Sequence, residues 1–131
     1  MKSETDIVIF ATEPPTQTKN LASSSVSFSG KFCYRVYSEY NFITSNGKIK
    51  IDVAVSHDAQ TNRDLAVTLY DEEHDQVGDP KIIKLSSTGE VKTELITISS
   101  LSTAKKYYIK WSAGDLCSAG DYVHASGTIS E

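Results

Sequence analysis

The sequence contains no long hydrophobic run. A helix that spans a bilayer needs about 20 consecutive apolar residues, whereas the longest apolar run near the N-terminus covers only residues 7–11. This run is also shorter than the apolar region of a signal peptide, and the acidic residues Glu4 and Asp6 lie where a signal peptide has positive charge. We therefore expect no transmembrane segment and no signal peptide. Two interpretations fit: a cytoplasmic protein, or a mature secreted chain to which an initiator Met was added.

Positive charge is also scarce. The chain has 13 Lys and Arg against 17 Asp and Glu, which gives a formal net charge of -4. The basic residues are scattered, and Lys105-Lys106 is only a pair. Nucleic-acid-binding domains usually have a basic patch that neutralises phosphates. The sequence therefore predicts no nucleic-acid partner.

Cysteine is rare, and the two in the chain are Cys33 and Cys117. Their wide separation and the lack of a histidine at metal-binding spacing exclude the familiar zinc and Cys-x-x-Cys patterns. Two buried thiols that pack as small hydrophobes are one interpretation. A Cys33–Cys117 disulfide is the other, and the Gly-, Ser- and Asp-rich surroundings of Cys117 favour it. Such a disulfide would stabilise the fold by about 4–5 kcal/mol in the chain-entropy model and would indicate an extracytoplasmic compartment.

No window of the sequence has the apolar periodicity of an amphipathic helix. Apolar residues instead alternate with polar ones, as between Lys48 and Val55, which predicts half-buried strands. Such segments recur about every 10–15 residues with turn signals between them, the spacing expected of a β-sandwich. We therefore predict an all-β protein, an antiparallel and jelly-roll-like β-sandwich of about eight strands. The length suits a single domain over residues 1–131.

Local signals predict individual strands and loops. A short N-terminal strand is followed by a predicted loop over residues 12–25, because Pro14-Pro15 supplies no backbone N–H groups. Residues 26–43 are expected to form two strands or one bent strand. Asn46-Gly47 predicts a two-residue hairpin turn, because both residue types accept a positive φ.

Catalytic signatures are absent from the sequence. No serine lies in a Gly-x-Ser-x-Gly motif, and His57, His74 and His124 are not spaced as metal ligands. We expect His57 and His74 to lie in solvated loops and His124 to lie on the outer face of the last strand. The chain is therefore predicted not to be an enzyme, and we predict no catalytic residues.

Acidic residues are densest between Asp71 and Asp75. Hard cations such as calcium bind several oxygen ligands from one loop, so Asp64, Asp71, Glu72 and Asp75 are the calcium candidates. The alternative interpretation is a charged loop that protects a sheet edge from aggregation. Calcium is the one cofactor that the sequence suggests.

Seven tyrosines and one tryptophan are present. By the alternation, Tyr107 and Trp111 fit the core, whereas Tyr37, Tyr70 and Tyr108 fall on an outer face. Exposed aromatic rings can stack on sugars or anchor a protein interface. Ordinary packing of these rings is the alternative.

Several segments share a strand pattern with a known family. They are Tyr40-Asn41-Phe42, residues 47–53, residues 62–71, Tyr107–Trp111 and Tyr122. Through them, residues 40–129 resemble the bacterial pre-peptidase C-terminal domain. The resemblance implies a secreted jelly-roll module that is assisted by calcium and serves adhesion or substrate binding, with Asp64 and Asp71 as possible ligands. The two cysteines and the added N-terminal strand depart from that family.

The functional expectation combines these observations. We expect a small secreted, non-catalytic β-sandwich that binds a protein partner or a cell-surface or carbohydrate polymer. An inhibitor, toxin or immunity-type protein that acts by direct protein contact is the alternative. A hydrolase that uses loop carboxylates is a third interpretation.

Overall fold

A computed structural model describes residues 7–8, 13–32, 35–57, 63–85, 91–113 and 122–131. These residues form eleven strands. The strands are β1 Ile7–Val8, β2 Thr18–Asn20, β3 Val26–Phe32, β4 Arg35–Tyr37, β5 Asn41–Ile43, β6 Ile49–His57, β7 Arg63–Asp71, β8 Gln76–Leu85, β9 Lys92–Ile98, β10 Tyr107–Ser112 and β11 Val123–Ser130. Within the described ranges there is no helix, and hence none long and apolar enough to cross a membrane.

The strands form two sheets. Sheet I has the order β1-β3-β11-β6-β9, and sheet II has the order β2-β5-β10-β7-β8, with β4 also paired to β10. The pairs β1–β3 and β2–β5 are parallel, and all the other pairs are antiparallel. The predicted all-β sandwich is confirmed. The predicted number of about eight strands is too low, because β2 was not recognised and residues 26–43 form three strands.

Alternating side chains of both sheets meet in the core. On β6, Ile49, Ile51, Val53 and Val55 are buried, and the residues between them are exposed or partly exposed. In sheet II the buried faces of β7 and β10 oppose them, and Trp111 packs its ring 5.2 Å from the ring of Phe28 in sheet I. The alternation that predicted strands therefore also identifies the face of each long strand that packs between the sheets.

The predicted loop over residues 12–25 contains a strand. Thr18–Asn20 forms β2 and pairs in parallel with β5. The backbone N–H of Asn41 donates to the carbonyl of Gln17 at 2.7 Å, and the N–H of Leu21 donates to the carbonyl of Ile43 at 2.9 Å. Proline prevents pairing only at its own nitrogen, so the strand begins once the chain has passed Pro14-Pro15.

The Asn46-Gly47 turn joins the two sheets and is not a hairpin. It connects β5 of sheet II with β6 of sheet I. Gly47 has a φ of +74°, as the turn signal predicted, and its N–H donates to Thr44 Oγ1 at 3.0 Å. The carbonyl of Gly47 accepts from the N–H of Leu101 at 2.9 Å. The positive φ of Gly47 is thus as expected, whereas Asn46 does not have one, since the non-glycine residues with a positive φ among those described are His74 and Ser100. The local turn signal also does not determine which strand the next strand pairs with.

Cys33 and Cys117 lie outside the described residues. The strands that flank them are described, however. Phe32 of β3 lies opposite Val123 of β11 in sheet I, and Arg35 of β4 lies opposite Ser112 of β10 in sheet II. The strands on either side of Cys33 therefore lie beside the strands on either side of Cys117, β3 beside β11 in sheet I and β4 beside β10 in sheet II.

Candidate functional site

The outer face of sheet II brings Tyr37, Tyr70 and Tyr108 together. Tyr107 and Ile109 of β10 point into the core, so Tyr108 between them points outward. Tyr70 of β7 lies directly opposite Tyr108, and Tyr37 of β4 lies opposite the next outward residue of β10. We call these three residues the tyrosine cluster. Their shared face is the one expected from the alternation, and their role in binding stays a prediction.

The rings of the tyrosine cluster contact one another. The Tyr70 and Tyr108 rings are stacked, with centroids 5.5 Å apart and an interplanar angle of 16°. Tyr37 meets Tyr108 edge-on, with centroids 6.0 Å apart. Tyr108 is only 3% exposed, whereas Tyr37 and Tyr70 are partly exposed. The two outer rings are therefore held on a buried central ring, which limits their rotamer freedom.

His74 contacts the hydroxyl group of Tyr108. The Nδ1 atom of His74 lies 2.8 Å from the Tyr108 hydroxyl, within hydrogen-bond distance, and the two rings meet edge-on at 5.7 Å. His74 adopts a positive φ of 68°, which is uncommon for a residue with a side chain. Burial raises the pKa of the Tyr108 phenol, and the neighbouring Tyr37, Tyr70 and Asp71 raise it further. The hydroxyl therefore remains protonated at neutral pH.

A cleft of about 440 Å³ opens beside the tyrosine cluster. The N-terminal segment 13–16 forms one wall, and Tyr108, His74 and Glu72 lie on the other. Asn41 donates from Nδ2 to the carbonyl of Pro15 at 3.1 Å, which fixes the segment to β5. From the sequence, Pro14-Pro15 was interpreted only as the end of a strand. The stiff, extended backbone of a proline pair could have indicated that this segment forms a wall of the cleft.

The acidic turn after β7 is organised by Asp71. Its Oδ1 accepts the backbone N–H groups of Glu73 at 2.9 Å and Asp75 at 3.0 Å. Its Oδ2 lies 3.8 Å from Lys105 Nζ. Glu72 accepts the backbone N–H of Lys106 at 3.1 Å through Oε1. Asp71 thus closes the turn, and Glu72 ties the turn to the start of β10.

The predicted calcium ligands are only partly brought together. Ligand oxygens of Asp71, Glu73 and Asp75 lie within 4.8 Å of one another. Asp64 does not join them, because it lies on the same strand as Asp71 at roughly 23 Å along a backbone that rises about 3.3 Å per residue. Glu72 is not in this group and bonds Lys106 instead. Glu73 was not predicted as a ligand, although Asp71, Glu73 and Asp75 occupy alternate positions of one turn, and this spacing could have indicated it.

The predictions for His57 and His124 have different outcomes. His57 was expected in a solvated loop, but it is the last residue of β6 and is 2% exposed. It continues the inward alternation of Val53 and Val55, and neither of its ring nitrogens has a hydrogen-bond partner within the part of the chain that the structure describes. His124 is exposed on β11, as expected.

No protein-family model matches the sequence, and none of the curated proteins matches it. The resemblance to the pre-peptidase C-terminal domain therefore stays a prediction. The fold and the site place the chain in a structural class of protein, the two-sheet β-sandwiches, here with an aromatic outer surface and an adjoining cleft.

Proposed function

We propose that this chain is a non-catalytic binding domain that holds its partner on the tyrosine face, defined as the tyrosine cluster together with the cleft beside it. The single observation that carries the proposal is the stacking of partly exposed Tyr70 on buried Tyr108. Rigid aromatic side chains give large contact areas at a low cost in conformational entropy. They are accordingly enriched among the residues that dominate binding energy.

The chemistry of the cleft supports the same proposal. Binding clefts combine apolar walls with a few polar groups that orient the ligand. Pro14 and Pro15 supply apolar surface here, while Asn41, Glu72 and His74 supply polar groups. The partner we propose is a protein or a cell-surface polysaccharide, because both can present flat apolar surface to a tyrosine ring and hydroxyl or amide groups to the rim.

An inhibitor or immunity-type protein that acts by direct protein contact is the second candidate. The carboxylates of Glu13 and Glu72 at the cleft favour it, since acidic side chains at a rim complement a basic protein surface and speed its association. A basic protein partner would support this candidate, whereas a neutral polysaccharide would support the first.

We propose an extracytoplasmic location for the domain. The support is the pairing of Phe32 with Val123 and of Arg35 with Ser112, which places the strands that flank Cys33 beside the strands that flank Cys117. A disulfide between these cysteines suits an oxidising compartment. The cytoplasmic alternative corresponds to two free thiols.

The test is a binding screen with matched variants. Wild-type protein is used as bait in culture fluid of the producing cells and on a polysaccharide array, beside Tyr70→Ala and the control Tyr122→Ala. Tyr122 contacts Lys31 at 4.6 Å, outside the tyrosine face. Removing a dominant aromatic contact costs about 2 kcal/mol or more, so Tyr70→Ala is expected to weaken binding roughly 30-fold.

The experiment needs one control for folding and one for specificity. Thermal unfolding of both variants tests whether each remains folded, and the control is expected to retain wild-type affinity. If a partner binds Tyr70→Ala as tightly as the wild type, the tyrosine face is not the binding surface.

A further inference from the structure

The edges of the two sheets differ in how they are protected. Among the described residues, β1, β2 and β4 have only two or three residues each. The long edge strand β8 contains Pro80, a positive-φ Gly78 and a break in its register with β7. Short strands, prolines and irregularities prevent an edge from pairing with another chain. These four strands are therefore protected.

The remaining edge strand, β9, lacks these features. It has seven residues, none of them Gly or Pro, and it pairs with β6 in an unbroken antiparallel register. Leu95 on the outer face of β9 is 65% exposed, and Val91, the residue that precedes β9, is 60% exposed. A regular edge with exposed apolar side chains is a template for a further strand.

We propose that β9 forms the interface of a homodimer, in which the β9 strands of two copies pair antiparallel about a two-fold axis at Thr93. In this register Lys92 lies opposite Glu94 of the second copy, and Val91 lies opposite Leu95 of the second copy. Directly opposite side chains share a face and interact. Because the interface is symmetric, each pair occurs twice.

Charge complementarity identifies a second copy as the occupant. Lys92 and Glu94 are both exposed on the same face of β9. A two-fold axis at Thr93 gives each of them an opposite charge, and the two exposed apolar residues of this edge cover each other. An axis at Leu95 would instead place Lys92 opposite Ile98 and Glu94 opposite Ile96, which leaves both charges beside apolar side chains. The sequence of β9 is therefore complementary to itself in one register.

The first test exchanges the charges. Sedimentation velocity over a range of concentrations measures the dimer dissociation constant of the wild type, Lys92→Glu, Glu94→Lys and the double variant. Each single change places like charges opposite each other twice, so we expect each to weaken the dimer roughly tenfold. The double variant restores opposite charges and is expected to return to within roughly threefold of the wild type. Lys81→Glu, the same charge change on exposed β8, is the control and leaves the constant unchanged.

A second test measures the register. In the proposed dimer Thr93 faces Thr93 across the axis, so Thr93→Cys is expected to form a covalent dimer under mild oxidation, above the background of the wild type. Thr97→Cys lies away from the axis and is expected not to do so. Tyr70→Ala is expected to leave the dimer intact, which would separate this interface from the tyrosine face.

Two results would overturn the proposal. The first is a wild type that sediments as a monomer at every concentration up to its solubility limit. The second is a dimer whose dissociation constant does not respond to the single charge changes.

Discussion

The Tyr108 hydroxyl and the Nδ1 atom of His74 lie 2.8 Å apart and connect β10 to the turn that follows β7. The hydroxyl is the polar end of a side chain that is otherwise enclosed by Tyr37 and Tyr70. The position of the central tyrosine is therefore coupled to the same turn that forms part of the cleft.

The raised pKa of Tyr108 predicts a loss of stability at high pH. In the unfolded chain a tyrosine loses its proton near its ordinary pKa of 10.0, whereas in the folded chain burial, Tyr37, Tyr70 and Asp71 delay that loss. The folded state thus binds more protons between the two pKa values, so the free energy of unfolding falls as the pH rises above about 10. Urea titrations between about pH 9 and pH 11 are expected to show a steeper fall for the wild type than for Tyr108→Phe. Parallel curves would contradict this account.

Gly47 and Gly78 form a matched pair for a test of turn strain. Both have a φ of +74°. A Cβ atom on Gly47 would lie 2.8 Å from the Leu101 carbonyl oxygen, whereas a Cβ on Gly78 would meet nothing within 4 Å. Gly78→Ala is expected to cost about 1 kcal/mol from the backbone alone, and Gly47→Ala roughly 2–4 kcal/mol from backbone and collision. Denaturant titration measures both, and equal losses would show that the Leu101 contact relaxes freely.

Sequence periodicity was sufficient for the long strands and insufficient for the short ones. From Ile49 onward the alternation is clean because one side of β6 packs in the core. Continued by one step, the same alternation would have placed His57 inward. β2 could not be found this way, because Thr18, Lys19 and Asn20 are polar and only backbone pairing with β5 makes them a strand.

The state of the cysteines can be read from the intact mass. Alkylation under denaturing conditions, with and without prior reduction, is expected to modify Cys33 and Cys117 only after reduction. Replacing either one by Ser is then expected to cost about 4–5 kcal/mol, since the disulfide closes a long loop. Immediate alkylation of both without reductant would contradict the disulfide and favour the cytoplasmic alternative.

Asp71 is expected to stabilise the turn after β7 without a bound ion. Asp71→Ala removes the charged acceptor of the Glu73 and Asp75 amides, and a hydrogen bond to a charged group contributes about 1.5–3 kcal/mol. The same loss is expected in chelator and in millimolar calcium, as measured by thermal unfolding. Asp64→Ala, on exposed β7 surface, is the control and should change stability by less than about 0.5 kcal/mol. A calcium-dependent rise in Tm that Glu73→Gln abolishes would instead assign these carboxylates to a cation.

The candidate site also shows which features the alternation of the sequence does not predict. Alternation placed Tyr37, Tyr70 and Tyr108 on an outer face, but it gave no sign that Tyr108 would be buried there. That burial arises from neighbours on β4 and β7 and from the turn at His74. The cleft likewise depends on Asn41 holding Pro15 from 26 positions away. Contacts between distant segments of this kind leave no trace in local patterning.

The two parallel strands near the N-terminus have a consequence for truncation. β1 pairs with Ser27 and Phe28 on the outer edge of β3 in sheet I, and β2 pairs with all three residues of β5 in sheet II. A protease that removed the first 20 residues would leave β3 in place but would remove the partners of Ser27 and Phe28, so that the seven-residue strand β3 would offer an open edge on the side of sheet I opposite β9. Shortened chains are therefore expected to form filaments or aggregates, since a domain with open edges on both sides of one sheet can add neighbours without closing.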